Sequence, residues 1–114
     1  MVLNHSPSLD RVFHALAHPA RRDMVRRLSR GEMNLTELAA PLRMSFPAAS
    51  KHVRVLERAK LVRRRRVGRA HVCRLIARPL DQADRWLEET RRMWEANFQR
   101  LDALLDDLTR ESPS

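Results

Sequence analysis

Four consecutive arginines, Arg63 to Arg66, constrain the fold of this chain more than any other feature of its sequence. They follow an apolar pair, Leu61-Val62, and precede Gly68-Arg69. Because glycine readily adopts the positive φ of a tight turn, the segment predicts a β-hairpin whose return strand spans His71 to Leu75. A protein core does not bury unpaired cations. The hairpin is therefore predicted to carry its arginines at the surface, although a solvated charge run would show the same residues.

A short amphipathic helix is predicted directly before the hairpin. Ser45 is a suitable N-cap, and Pro47 lies where a missing backbone N–H does no harm. Ala49, Val53 and Leu56 recur at helical spacing and are predicted to face inwards, which leaves small and basic residues on the opposite face. A helix that enters the major groove of DNA needs this arrangement, because small side chains permit close approach and donors reach base edges and phosphates. An ordinary helix with a solvated basic face is the alternative, and the basic hairpin beside it favours DNA binding.

The residues predicted to contact double-stranded DNA come from both elements. The helix contributes small or donor side chains: Ser45, Pro47, Ala48, Ser50, Lys51, His52 and Arg54. The hairpin contributes cations for phosphates or a narrow minor groove: Arg63, Arg64, Arg65, Arg66 and Arg69. For His52 the sequence leaves two roles open, a donor close to DNA or a residue that packs between helices.

This stretch resembles the winged helix-turn-helix of the ArsR family of bacterial repressors. The family pattern is present as Ser45, Ser50-Lys51-His52-Val53, Leu56, Leu61-Val62, Arg64 and Gly68-Arg69. The resemblance extends over residues 9–108, with residues 15–28 similar to the family's first two helices. It departs at Lys60, where the family usually has a glycine that ends the recognition helix, and a lysine in the left-handed conformation there costs about 1 kcal/mol.

The resemblance implies a mainly α fold with a small β-hairpin wing and a long C-terminal dimerisation helix. It also implies a sequence-specific transcriptional regulator, a homodimeric repressor that binds a pseudo-palindromic operator and acts by occluding a promoter. Two recognition helices would then enter successive major grooves of the DNA.

The charge of the 114-residue chain is unevenly distributed. Its net charge is +9, but residues 1–77 carry +12 and residues 78–114 carry −3. A basic head joined to a mildly acidic segment is typical of a polyanion-binding domain with a separate assembly element. A membrane-binding surface would combine its cations with an aromatic or leucine-rich face, and the sequence has neither an apolar run of about 18 residues nor a basic-then-apolar signal. We therefore expect a single cytoplasmic domain without a membrane partner.

Three helices are predicted before the recognition helix. Ser8 is a suitable cap for the first, His18-Pro19 separates the first from the second, and Gly31 is suited to end the second. Thr36 is a suitable cap for the third, which completes a helix-turn-helix with the recognition helix. The predicted helices span residues 9–17, 19–30 and 37–42.

A long amphipathic helix is predicted after the hairpin, from Pro79 to about Arg110. Its apolar residues alternate three- and four-residue steps, the pattern of a helix that pairs with another helix. Such a helix spans roughly 45 Å, longer than a small head can cover, so part of its apolar face needs a second surface. We predict a homodimer through Leu80, Ala83, Leu87, Trp94, Leu101, Leu104 and Leu108. The expected organisation is a flexible tail (1–7), a DNA-binding head (8–77), the dimerisation helix (78–110) and a second tail (111–114).

No metal site, cofactor or catalytic centre is predicted. The ArsR family's cysteine-containing metal motif is absent, since residues 33–38 read MNLTEL, and no histidine follows His71 for a site on the last helix. Asp10, His14 and His18 share a four-residue spacing, but His18 is expected to cap the second helix. The single cysteine, Cys73, excludes an internal disulfide and is predicted to be a small buried hydrophobe rather than a redox switch. A phosphate-cradling glycine loop and a paired nucleophile and base are also missing, so an enzyme is not expected.

Two alternatives remain open. The first is a metal- or thiol-responsive sensor that binds DNA in only one ligand state. The second is a helical interaction module whose basic head only maintains solubility or contacts RNA. The sequence identifies neither the operator nor a small-molecule effector.

Overall fold

The computed structural model describes residues 6–111, so residues 1–5 and 112–114 of the two predicted tails lie outside the described range. The helices and strands are, in order, α1 (Pro7–Leu16), α2 (Pro19–Leu28), β1 (Met33–Asn34), α3 (Leu35–Ala39), α4 (Phe46–Arg58), β2 (Val62–Val67), β3 (Ala70–Leu75) and α5 (Arg78–Glu111). A 3-10 turn, Ala40–Leu42, follows α3 directly. The predicted fold class, mainly helical with a small β-hairpin wing and a long C-terminal helix, is confirmed.

Side-chain caps determine where the first two helices begin. The Ser6 hydroxyl accepts a hydrogen bond from the backbone N–H of Leu9 at 3.4 Å. The prediction that Ser8 caps this helix is therefore wrong, because the earlier serine already satisfies a free N–H of the first turn. At the next junction, His18 Nδ1 accepts a hydrogen bond from the N–H of Ala20 at 3.1 Å, which confirms the predicted break and cap.

The segment between α2 and α4 differs in detail from the prediction. α2 ends at Leu28 rather than at residue 30. α3 begins early because the side chain of Asn34, and not that of Thr36, caps it: Asn34 Oδ1 accepts a hydrogen bond from the N–H of Glu37 at 2.8 Å. Pro41 lies in the 3-10 turn, where α3 has already ended, as expected for a residue without a backbone N–H.

The hairpin forms as predicted and gains a third strand. β2 pairs antiparallel with β3, with Arg65 opposite Val72 and Val67 opposite Ala70. Gly68, in the connecting turn, has a φ of +61°, a conformation that glycine adopts without a steric penalty. β1 pairs with the other edge of β3, which gives the strand order β1-β3-β2. The wing is therefore anchored to the head along the edge formed by β1.

The core lies among the helices of the head and one face of this sheet. Ala49, Val53 and Leu56, the residues of α4 predicted to face inwards, are each 0% exposed. Cys73 is also fully buried, which confirms it as a small core side chain. Other core residues are Val12, Ala15, Met24, Leu28, Leu35, Leu38, Leu61 and Val62. Burial of one large apolar side chain contributes about 1.5–3 kcal/mol, so this cluster fixes α4 and the base of the hairpin relative to each other.

The chain divides into two compact units, one ending at Ala83 and the other beginning at Asp84. Leu80 and Ala83, predicted to lie in a dimer interface, pack against the core of the first unit. The second unit continues α5, and its large apolar side chains are 45% exposed at Trp86 and up to 67% exposed at Met93. We call these side chains the α5 stripe: Trp86, Leu87, Met93, Trp94, Phe98, Leu101, Leu104, Leu105 and Leu108. No helix within residues 6–111 is long and apolar enough to span a membrane.

Candidate nucleic-acid interface

The N-terminal end of α4 is built for close approach to another molecule. The Ser45 hydroxyl caps it by accepting a hydrogen bond from the backbone N–H of Ala48 at 3.3 Å. Pro47 in the first turn removes one further N–H that would otherwise need a partner. Apart from Phe46, the outer side chains here are small, and Lys51 and Arg54 follow on the exposed side of the helix. This end of α4 therefore presents the combination of small and cationic groups that the sequence predicted.

Arg64 joins the wing to α4. Its guanidinium donates hydrogen bonds to Glu57 Oε1 at 2.6 and 3.1 Å and to Ser50 Oγ at 3.1 Å. The side chain of Arg64 is only 14% exposed. Two of the predicted DNA-contact residues, Ser50 and Arg64, are thus bonded to each other inside the head. Arg64 holds β2 against α4, and its contact with DNA stays a prediction.

Arg65 lies on the other side of the strand and is paired with an acidic side chain. Its two terminal nitrogens donate to the two carboxylate oxygens of Glu32 at 2.7 and 2.9 Å. These hydrogen bonds lower the pKa of Glu32 and raise the pKa of Arg65, and the opposite charges of the two groups act in the same directions. Arg66 is exposed and donates to the carbonyl oxygen of Gly68 at 3.3 Å. Alternation along a strand explains why consecutive arginines have such different surroundings.

Four of the predicted cations have no carboxylate or side-chain hydrogen-bonding partner within residues 6–111: Lys51, Arg54, Arg63 and Arg69. All four are exposed. A phosphate oxygen that reached Arg69 at the turn, or Lys51 and Arg54 on α4, would therefore meet a cation that no protein carboxylate neutralises.

His52 packs between helices. Its ring centroid lies 4.5 Å from that of His18, and its Nδ1 is 3.3 Å from Nη1 of Arg21. Burial lowers the pKa of His52, and the neighbouring charges of His18 and Arg21 lower it further. Arg21 is itself fixed by a 2.7 Å hydrogen bond to the carbonyl oxygen of Ala15. Of the two roles that the sequence left open, these contacts favour helix packing.

Two exposed apolar residues of this surface were missed from the sequence. Phe46, the first residue of α4, is 47% exposed, and its ring lies edge-on to His71 of β3 with centroids 5.7 Å apart. Val67, beside the wing turn, is 53% exposed. The sequence signal that could have placed Phe46 on this surface was its position in the first turn of α4, between the N-cap serine and a proline. Its contact with His71 brings the start of α4 and the wing together on one surface.

The residues considered for metal or thiol chemistry lie on α1, at the start of α2 and on β3. Within the described part of the chain, no group of three or more His, Cys, Asp or Glu side chains is arranged to hold a metal ion. His18, a member of the four-residue series considered above, uses Nδ1 to cap α2. Burial raises the pKa of the Cys73 thiol, although the nearby charge of Arg64 acts in the opposite direction.

Comparison with known proteins gives consistent matches. A family model described as a helix-turn-helix domain matches residues 16–65. The HTH-type transcriptional regulator Rv2034 of Mycobacterium tuberculosis is 44% identical over 68 residues, 60% of this chain and 64% of that protein. A transcriptional repressor SmtB homolog of Synechocystis is 38% identical over 69 residues, 60% of this chain and 52% of that protein. The chain thus spans between about half and two thirds of the length of these curated relatives.

A solved structure extends the likeness to most of the chain. The crystal structure of an ArsR family transcriptional regulator superposes with a TM-score of 0.76 at 35% identity, covering 82% of this chain and 97% of the other. These relatives are transcriptional regulators rather than enzymes. The sequence pattern, the winged helix-turn-helix and the matches agree: this chain belongs to the ArsR family of transcriptional regulators and carries the family's helix-turn-helix DNA-binding domain.

Proposed function

We propose that the protein is a homodimeric repressor that binds a pseudo-palindromic operator in double-stranded DNA. One observation carries the proposal: the capped, small-residue end of α4 lies beside the wing, joined to it through Phe46 and His71 and through Ser50 and Arg64. A recognition helix and a basic wing on one surface can contact a major groove and its flanking phosphates together. The unpaired cations Lys51 and Arg69 supply the electrostatic part of the affinity.

The α5 stripe supports the dimer. A 34-residue helix is about 51 Å long, and its apolar side chains are more than half exposed at Trp94, Leu101 and Leu108. Monomeric soluble proteins rarely expose a continuous apolar surface of this extent. A second copy is the proposed occupant, because Leu87, Trp94, Leu101 and Leu108 of the stripe recur every seven residues, the spacing of a helix that pairs with another helix. Two heads would then read half-sites about one helical turn of DNA apart, roughly 34–36 Å.

Repression by promoter occlusion is proposed from the family and from the Synechocystis relative, whose name describes it as a transcriptional repressor. The DNA partner implies a cytoplasmic protein. We assign no metal effector, since no group of three or more metal-ligating side chains is found within the described residues.

The test is footprinting of the protein on the DNA upstream of its own gene, followed by binding measurements over a range of salt concentrations. The expected result is two protected half-sites at helical-turn spacing. Arg69→Ala should weaken binding to specific and nonspecific DNA alike and reduce the slope of log K against log salt by about 1. Arg100→Ala, which removes an exposed cation outside the head, should leave that slope unchanged. A protein without preference among DNA fragments at physiological salt would contradict the proposal.

The two alternatives from the sequence have their own tests. A metal- or thiol-responsive sensor would change its DNA affinity on zinc titration or thiol oxidation, whereas the proposed repressor should not respond. An RNA-binding module would prefer structured RNA in competition with duplex DNA. The proposed recognition helix should prefer DNA, because the major groove of A-form RNA is too narrow for it.

A further inference from the structure

A cavity of about 760 Å³ lies where the end of α4, the base of the wing and the start of α5 meet. Its lining includes Ser8 of α1, Gln82 of α5 and the cations Lys60, Arg63, Arg64 and Arg78. We call it the basal cavity. Its volume falls within the range of about 300–1,000 Å³ that is typical of small-molecule sites.

Cations dominate the polar lining of the basal cavity. Lys60, Arg63 and Arg78 come from three different segments, and none has an anionic partner within residues 6–111. Glu57, which also lines the cavity, is already bonded to Arg64 at 2.6 Å. The charge left uncompensated is therefore positive. Like charges on a concave surface reinforce one another's field, and a bound anion removes their repulsion.

The neutral groups of the cavity also suit an anion. Ser8 Oγ donates a hydrogen bond to Gln82 Oε1 at 3.4 Å, which leaves the amide NH₂ of Gln82 as a donor. Arg63 is at the base of the wing and not at its tip, since the next residue towards the base, Val62, is buried and the tip residue Val67 is exposed. Arg63 is thus better placed for the basal cavity than for a phosphate at the wing tip.

We propose that the basal cavity binds a small anion with two or more negative charges, either a phosphate compound such as pyrophosphate or a phosphate ester, or a polycarboxylate. The guanidinium groups of Arg63 and Arg78 would each form paired hydrogen bonds with carboxylate or phosphate oxygens, a geometry that a single ammonium cannot provide. Lys60 supplies a third cation and Gln82 a directional donor. The apolar side chains of Val62 and Ile76 leave room for a short carbon skeleton.

Such a ligand would contact the element that positions the wing. Glu57 and Arg64, which tie β2 to α4, form one wall of the cavity, and the first turn of α5 forms another. An anion that draws Arg64 away from Glu57 would loosen the wing and weaken DNA binding. The proposed anion site depends only on the lining of the cavity, whereas this effect on DNA binding rests on the proposed function.

The first experiment is calorimetric titration of the full-length protein with pyrophosphate, citrate and inorganic phosphate, which separates phosphate from carboxylate chemistry. One saturable site per chain is expected for pyrophosphate or citrate. Arg78→Gln should weaken it about 10-fold or more, the usual effect of losing a hydrogen bond to a charged group. The matched control, Arg26→Gln, removes an exposed cation of α2 and should change nothing. Weak, unsaturable binding that falls equally in both variants would overturn the proposal.

The second experiment repeats the DNA titration with a saturating concentration of the bound anion. Weaker DNA binding by the wild type, but not by Arg78→Gln, supports the coupling through Glu57 and Arg64. An equal loss in both proteins means that the anion only screens DNA, and this overturns the coupling. A protein that binds the anion but no DNA would refute the proposed function while supporting the cavity as a site.

Discussion

Lys60 is a lysine in a conformation that suits glycine, and its replacement offers a direct test of the local physics. After α4 the N–H of Lys60 donates to the carbonyl of Glu57 at 2.9 Å, and the N–H of Leu61 donates to that of Leu56 at 3.0 Å. This is the Schellman pattern, and it requires a left-handed residue at the position that Lys60 occupies with a φ of +59°. Leu61 and Leu56 are both fully buried, so the core enforces the strained backbone.

The magnitude follows from three terms. The left-handed conformation costs a residue with a Cβ about 1–2 kcal/mol, a cost that Lys60→Gly removes. The greater freedom of glycine in the unfolded chain returns about 0.4–1 kcal/mol. Loss of a cation at the C-terminus of a helix costs a further amount of about 0.3 kcal/mol at this exposed site. The net expectation is a stabilisation of about 0.5 kcal/mol relative to the wild type.

Lys60→Ala is the matched control, because it loses the same charge and keeps the Cβ. Lys60→Gly should therefore exceed Lys60→Ala in stability by about 1 kcal/mol, or roughly 4 °C in Tm for a domain of this size. Urea denaturation followed by helical circular dichroism at one fixed protein concentration measures both variants, since dimerisation makes the midpoint depend on concentration. Equal stability of the glycine and alanine variants, with an unchanged m value, would refute this account of the helix end.

Three further predictions concern separate contacts. Arg64→Ala should destabilise the head by about 1–2 kcal/mol in urea denaturation because it removes the partner of Glu57. Arg64→Lys should recover less than half of the lost stability, since an ammonium cannot form the two hydrogen bonds that the guanidinium donates to Glu57. Full recovery by lysine would argue against the importance of those paired hydrogen bonds. The pKa of His52 is lower in the folded protein than in the unfolded chain, so the free energy of unfolding should hold above pH about 6.5 and fall as the pH drops below it. His52→Gln should make that fall shallower. An unaltered pH profile in the variant would exclude His52 as the source of the fall. Leu101→Lys should weaken the dimer more than about 100-fold in sedimentation equilibrium, because each copy loses about 1.5–3 kcal/mol of apolar burial. The control Gln99→Lys should leave the dimer intact. A dimer that tolerates both changes would mean that the α5 stripe is not the interface.

Much of the head was predictable because its signals are local. The helical spacing of Ala49, Val53 and Leu56 correctly gave the buried face of α4, and Ser45 was correctly identified as its cap. Gly68 located the hairpin turn, since few other residues adopt a positive φ without strain. Two serines, Ser6 and Ser8, precede or begin α1, and residue preference alone could not decide which of them caps the helix.

The different surroundings of the arginines were not predictable from the sequence. Arg64 and Arg65 are adjacent and chemically identical, yet one is bonded to Glu57 and the other to Glu32, whose position is 33 residues away along the chain. Strand alternation predicts that they face opposite ways, but the acceptor that each one meets depends on how the helices pack around the sheet. For the same reason, the packing of His52 on His18 and Arg21 became visible only in the folded chain.

The pairing of Arg65 with Glu32 has a consequence for selectivity. A phosphate that approaches this guanidinium competes with a carboxylate that already accepts a hydrogen bond from each terminal nitrogen. An arbitrary DNA fragment gains little from that exchange, since one charged acceptor merely replaces another. If Arg65 contacts DNA as proposed, Glu32 competes with phosphate and lowers binding to random sequence. Removal of Glu32 is then expected to make the wing bind DNA more tightly but less selectively.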